Sequence, residues 1–268
     1  MLSFQLFLCI LIPLASTSYF HYQPTPSSSD GTIAYAIDYQ ETGISPAHVR
    51  CLRASTYGMF LVGAFLAHDD GILDPHVINT IKTAHAGGMR VEVHMHVKFE
   101  SKLSGAEQLD IVVNALEDAG IRMRSIWILA TTLTMNESEW PMFNQTASFL
   151  FLKNITDRAR EHGLSVGIYT SSYDWDRIVG KRSFDSDVLL WYHNVRRPGL
   201  NGETKHNFDD FQPFGPFHTP TIKQFAHAEL LCQLKVSRNV YEVASLVPFD
   251  SVSSPPNGFI YVGGNFKT

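Results

Sequence analysis

The chain is poor in charge and in sulfur. Asp, Glu, Lys and Arg make up 18% of its 268 residues, and only three are cysteines. The formal net charge is -5, and no basic run marks a nucleic-acid partner. Beyond the N-terminus no segment is apolar enough to cross a bilayer, so no membrane partner is expected. No G-x-G-x-x-G is present; Gly87-Gly88 reads as a helix stop rather than a phosphate loop. No G-x-S-x-G is present either, and in "GIYTSS" Ser171 and Ser172 read as caps of the next helix. Neither an internal repeat nor a linker interrupts the chain, which reads as one domain.

The cysteines and the N-terminus bear on compartment. An apolar run from Phe4 to Ala15 precedes the small residues "ASTS". Residues 1–18 therefore resemble a secretory signal peptide with cleavage after Ser18, although its start lacks Lys or Arg. Roughly 12 apolar residues are too few for a span of roughly 20. Cys9 leaves with that segment. Cys51 and Cys232 remain, an even pair that predicts one disulfide in an oxidising compartment. So long a loop contributes roughly 5 kcal/mol in the chain-entropy model. Two free buried thiols are the alternative. Three N-x-S/T sequons, at Asn136, Asn144 and Asn154, predict at least one glycan on a secreted chain. Asn154 falls in an expected helix.

What is present is an alternation of strand-like and helix-like segments. Residues 19–31 are Pro/Ser-rich and are expected to be flexible. Strands are expected at 32–38, 58–67, 90–97, 125–131, 164–170, 187–193 and 221–227, with a last one over 239–244. Helices are expected between the early strands. Ser45 and Pro46 open the first, Asp74 and Pro75 the second, and Ser104 with Glu107 the third through a capping box. Residues 147–163 form the fourth, and 171–180 a short fifth. Five β/α units followed by strands predict an α/β fold, a single modified TIM-like barrel over 32–247. A doubly wound open sheet is the competing architecture. Residues 248–268 are expected to be a loosely ordered tail.

In such a barrel the chemistry sits where the strands end. Period two then selects the inward side chains. Ala34, Ala36 and Asp38 share one face, and Asp38 ends inward. Val91, Val93, Met95 and Val97 face the helices, so Glu92, His94 and His96 face inward. Trp127, Leu129 and Thr131 form the inward set of their strand. Trp127, Tyr169, Trp191 and Tyr192 are candidate walls of a groove at that end of the barrel. For Trp127 and Trp191 a plain core role competes.

The stretches "YAIDYQ", "GILDPHVINTIKTAHAGGMRVEV", "SVGIYTSSYDW", "LLWYH", "DDFQPFGPF" and "TPTIKQFAH" together resemble the glycoside hydrolase family 25 muramidases, the Chalaropsis-type lysozymes. The likeness spans about residues 33–240 and lies nearest the secreted lysozyme-like branch of nematodes and protists. It implies a barrel of five β/α units followed by strands, peptidoglycan as substrate, and neither metal nor cofactor. His94 and His96 then read as aromatic replacements filling the barrel rather than as metal ligands.

The resemblance also implies four acids, and only one is here. Asp38 matches the acid of the first strand. The acid pair that follows the Trp of the fourth strand falls at Leu129 and Thr131, and the acid near the "IKQFAHA" segment falls at Ala228. A leucine carries no charge, and a threonine hydroxyl cannot protonate a leaving group. Glu137, Glu139 and Glu229 are the candidate substitutes, with Glu100 further off; all read first as solvated loop charges. The expectation is a secreted, monomeric pseudo-muramidase of innate defence or the gut that binds peptidoglycan or a related glycan. An active muramidase with relocated acids and a scaffold for a protein partner are the alternatives.

Overall fold

The computed structural model describes residues 33–39, 43–66, 72–132, 144–182, 184, 187–248 and 258–267. The expected signal peptide, the segment 19–31, Asn136, Glu137 and Glu139 lie outside them.

The elements run in chain order as β1 (Ile33–Tyr39), α1 (Pro46–Ala54), β2 (Tyr57–Leu66), β3 (Ile72–Leu73), α2 (Val77–Ala86), β4 (Arg90–His96), α3 (Gly105–Asp118), β5 (Ile121–Met123), β6 (Ser125–Leu129), α4 (Gln145–Glu161), β7 (Ser165–Thr170), α5 (Ser172–Ile178), β8 (Leu189–His193), β9 (Ile222–Leu231), β10 (Leu234–Glu242) and β11 (Ile260–Val262). Eight strands close into a barrel in the order β1-β2-β4-β6-β7-β8-β9-β10, and β10 returns to β1. The pairs from β1 to β9 are parallel; β10 is antiparallel to both its neighbours. This is the expected barrel, and the open sheet is set aside by the β1–β2 and β1–β10 pairings.

The helix starts follow from local chemistry. Ser45 accepts from the His48 N–H with Pro46 in the first turn, and Ser104 and Glu107 form a reciprocal capping box. Such caps satisfy N–H groups that the first helical turn leaves unpaired. The second helix differs from expectation. It begins at Val77, and the His76 cap position makes no side-chain bond. Asp74 instead accepts from the His76 N–H at 2.7 Å, closing a turn that precedes the helix.

Alternation divides the buried residues into two clusters. Val91, Val93, Met95, Ile126, Ile128 and Ile168 pack between sheet and helices. Ala36, Met59, Leu61, Trp127, Leu129, Tyr169, Trp191 and Ile222 fill the barrel axis. Trp127 faces Gly167 on the next strand. A Cβ at Gly167 would lie 2.1 Å from Trp127 Cε3, so only glycine leaves room for the indole there.

The C-terminal tail is a correction. Over residues 258–267 the tail is part of the fold: β11 pairs in parallel with β5, and Asn265 and Phe266 are buried at the bottom of the barrel. The Asn265 backbone N–H and Nδ2 donate to Glu92 Oε1 at 2.9 and 2.8 Å, while Trp127 Nε1 donates to Glu92 Oε2 at 2.8 Å. An inward carboxylate at the barrel bottom needs donors that the strands alone do not supply. The tail brings two of them.

The expected disulfide is present. Cys51 and Cys232 bond across 181 residues and tie α1 to the turn between β9 and β10.

Candidate active site at the barrel mouth

A groove opens where β1, β6, β7, β8 and β9 end, together with the start of β10. Asp38, Leu129, Tyr169, Trp191, Gln224 and His227 line it, with Ala228 and Ser237 on its β9–β10 side. Asp38 is the one carboxylate among these lining residues. Its Oδ1 lies 3.0 Å from Nε2 of the buried His94. The inward pairing of a β1 acid with a β4 histidine is what period two dictates for the two strands.

Aromatic rings line much of the groove, and Lys235 at the start of β10 brings a cation. The Tyr169 and Trp191 ring centroids are 4.5 Å apart, and Trp191 meets His94 edge-on at 5.7 Å. Tyr169 Oη donates to Gln224 Oε1 at 3.2 Å. Burial, then the Asp38 and Asp174 charges, raise the Tyr169 pKa well above the usual phenol value. Burial lowers the His227 pKa from its ordinary value, so that imidazole is neutral at pH 7. His227 Nδ1 lies 3.0 Å from Ser237 Oγ.

Leu129 and Thr131 face inward as expected, and neither can supply an acid. Leu129 lines the groove as a hydrocarbon. Thr131 is fully buried, and its Oγ1 donates to Asp174 Oδ2 at 2.7 Å. Thr132 Oγ1 donates to the other Asp174 oxygen at 2.7 Å, and His193 Nε2 lies 3.0 Å from Oδ2. Burial alone would raise the Asp174 pKa. The bonds from His193, Thr131 and Thr132 outweigh it and hold the carboxyl below the ordinary range. A general acid needs the opposite shift. The sequence reading missed Asp174. The available signal was an acid three residues after the Ser171 cap, on a helix that starts at a strand's C-terminal end.

The other candidates separate. Ala228 has φ 55°, a left-handed backbone at a break in the β9–β10 register. That break shifts the alternation, so Glu229 is not a groove residue. Its Oε2 pairs with Arg238 Nη1 at 2.8 Å, and Arg238 also binds Glu203 at 2.6 Å and the Tyr57 hydroxyl at 2.6 Å. Burial raises the Glu229 pKa despite the guanidinium, but the group is engaged elsewhere. Trp127 is core one layer below the groove, donating to Glu92. Tyr192 is also corrected: it is on the outer side of β8, with its hydroxyl donating to Asp210 Oδ1 at 2.8 Å. Tyr192 follows the inward Trp191 directly, so alternation turns it away. Of the four aromatic candidates, Tyr169 and Trp191 border the groove; Trp191, 0% exposed, belongs to the barrel core, and Tyr169 is 2% exposed.

Asn144 caps α4 through Oδ1, and Asn154 Oδ1 accepts from the Ala106 N–H at 2.8 Å. Both residues are exposed, and neither bond uses the amide nitrogen to which a glycan would attach. Among the described residues no group of three or more His, Cys, Asp or Glu could hold a metal ion.

The barrel has the architecture of the family 25 glycoside hydrolases. The muramidase from Trichobolus zukalii superposes with a TM-score of 0.60 at 14% identity, over 81% of this chain and 96% of that one. In sequence, the family model described as Lysozyme-like protein 1 matches residues 29–225. Lysozyme-like protein 2 of Caenorhabditis elegans is 36% identical over 247 residues, 90% of this chain and 85% of that protein. Probable GH family 25 lysozyme 4 of Dictyostelium discoideum is 26% identical over 74% of this chain and 86% of its own length. The chain belongs to the lysozyme-like family, of the glycoside hydrolase family 25 type.

Proposed function

We propose that this protein is a secreted lysozyme-like glycan binder whose hydrolytic step is severely impaired, with peptidoglycan or a related acetamido-sugar polymer as ligand. One observation carries the reading: the groove offers a single carboxylate, Asp38, and a leucine in the strand-end position where the family resemblance implies an acid. Glycosidic cleavage in this manner needs a proton for the leaving oxygen and a second group to meet the developing positive charge. Asp38 can fill one role. Asp174 is held ionised and buried, and Glu229 is paired with Arg238 outside the groove.

What remains suits binding. Tyr169 and Trp191 give the groove an aromatic floor, at 2% and 0% exposure. Gln224, Ser237 and neutral His227 give donors and acceptors, and Asp38 gives a strong acceptor for sugar hydroxyls. The Cys51–Cys232 bond and the exposed sequon residues Asn144 and Asn154 support secretion. The test is co-sedimentation of residues 19–268 with purified peptidoglycan sacculi, with soluble muropeptide as competitor. Sedimentation that the competitor reverses supports the reading. Absence of sedimentation overturns it in favour of a scaffold for a protein partner.

A further inference from the structure

We infer that Tyr173, on the rim beside the barrel mouth, is the platform of a second sugar-binding site, separate from the groove at the strand ends. It takes one ring of an N-acetylated oligosaccharide, and it rests on the glycan-binding reading above.

Tyr173 is 61% exposed on α5, the helix that leaves the C-terminal end of β7. It therefore belongs to the same face of the barrel as the groove. Its hydroxyl meets Arg177 Nη1 one turn on, and the Arg177 guanidinium carbon lies 5.2 Å from the ring centroid. A tyrosine side chain has two rotatable torsions, so it loses little freedom when a flat ligand stacks on it.

A hollow borders Tyr173 on each side. One is lined by His193, Asn194, Asp210 and Gln212, the other by Trp175, Asp176, Lys181 and Gly215; Phe214 touches both. The second hollow holds an independent sign of a ligand. Trp175 is 2% exposed, and its Nε1–H has no hydrogen-bond partner among the described residues. A buried donor left unpaired is unfavourable, and such groups are rare in folded proteins. Gly215 lets the chain pass close to that nitrogen, since a Cβ there would lie 2.4 Å from it, and any side chain at 215 would close the approach. An oxygen of a bound ligand answers that donor.

The chemistry of the rim selects a sugar. Asp176 accepts from hydroxyls, and Gln212 and Lys181 donate to ring or acetamido oxygens, while Asp210 is engaged by Lys223, Tyr192 and Asn194 and fixes the wall of its hollow. Tyr173 supplies the flat apolar face that every pyranose has a counterpart for.

The experiment is a titration of the 15N-labelled mature chain with the tetramer of N-acetylglucosamine. The indole N–H signals of Trp175 and Trp191 are followed, the first reporting this site and the second the groove. Both signals should move, and Tyr173→Ala should weaken the Trp175 response roughly tenfold while leaving that of Trp191 intact. Tyr173→Phe, which keeps the ring, should retain it. Movement of Trp191 alone overturns this site and leaves the groove reading standing. Movement of Trp175 alone supports this site and removes the groove reading. If neither moves, or if Tyr173→Ala leaves the Trp175 response unchanged, the platform is wrong.

Discussion

Thr131 Oγ1 donates to Asp174 Oδ2 across 2.7 Å, with both side chains buried. At a position where the family resemblance implies a catalytic acid, this chain has a hydroxyl serving a buried carboxylate.

Replacing that hydroxyl should therefore destabilise the fold. Thr131→Val keeps the shape and removes one of three side-chain partners of Asp174. The expected loss is about 1–3 kcal/mol, read from the midpoint of urea unfolding. A change within a few tenths would mean that the Thr131–Asp174 bond contributes nothing.

The same carboxylate sets a pH dependence. Its folded pKa is depressed, so its ionised form is favoured by folding. That contribution is present above the unfolded carboxylate pKa of about 4 and is lost as pH falls through the folded value. Asp174→Asn should be less stable than the parent by about 1.5–3 kcal/mol at pH 7. The gap should narrow as pH is lowered toward 2, in thermal unfolding of both proteins across that range.

The Cys51–Cys232 bond closes a loop of 181 residues. Replacing both cysteines by alanine should cost roughly 2–5 kcal/mol. Differential scanning calorimetry of that variant should match the parent measured in reductant.

Much of this was legible in the sequence. "RVEVHMHV" shows its two faces by strict alternation, and the structure seats Val93 against the helices and His94 against Asp38. The cap signals at Ser45 and Ser104 correspond to real caps because they are local chemistry. What was not legible depends on distant partners. A three-residue strand such as β11 has no measurable period, so its pairing with β5 left no trace. The residue at Ala228 shifts the β9 alternation, and no propensity announces a left-handed alanine. Asp174 was hidden because a residue near a helix cap reads as part of the cap, while its carboxylate turns toward Thr131.

The ordered tail gives a further prediction. Asn265→Ala removes the Nδ2 bonds to Glu92 and the Val91 carbonyl, and the acceptor of Arg90. Glu92 is 1% exposed, and a buried carboxylate that loses a donor is costly. The expected loss is about 2–4 kcal/mol by chemical denaturation. Asn265→Asp, which brings a second carboxylate to Glu92, should be worse at pH 7 than at pH 4.

The central claim is that the groove holds glycan without cutting it. The most direct measurement is mass spectrometry of soluble muropeptides released from purified sacculi by the mature chain, beside Asp38→Asn. The account predicts no release above that of Asp38→Asn. Release by the parent that Asp38→Asn abolishes would contradict it and show a muramidase with relocated acids.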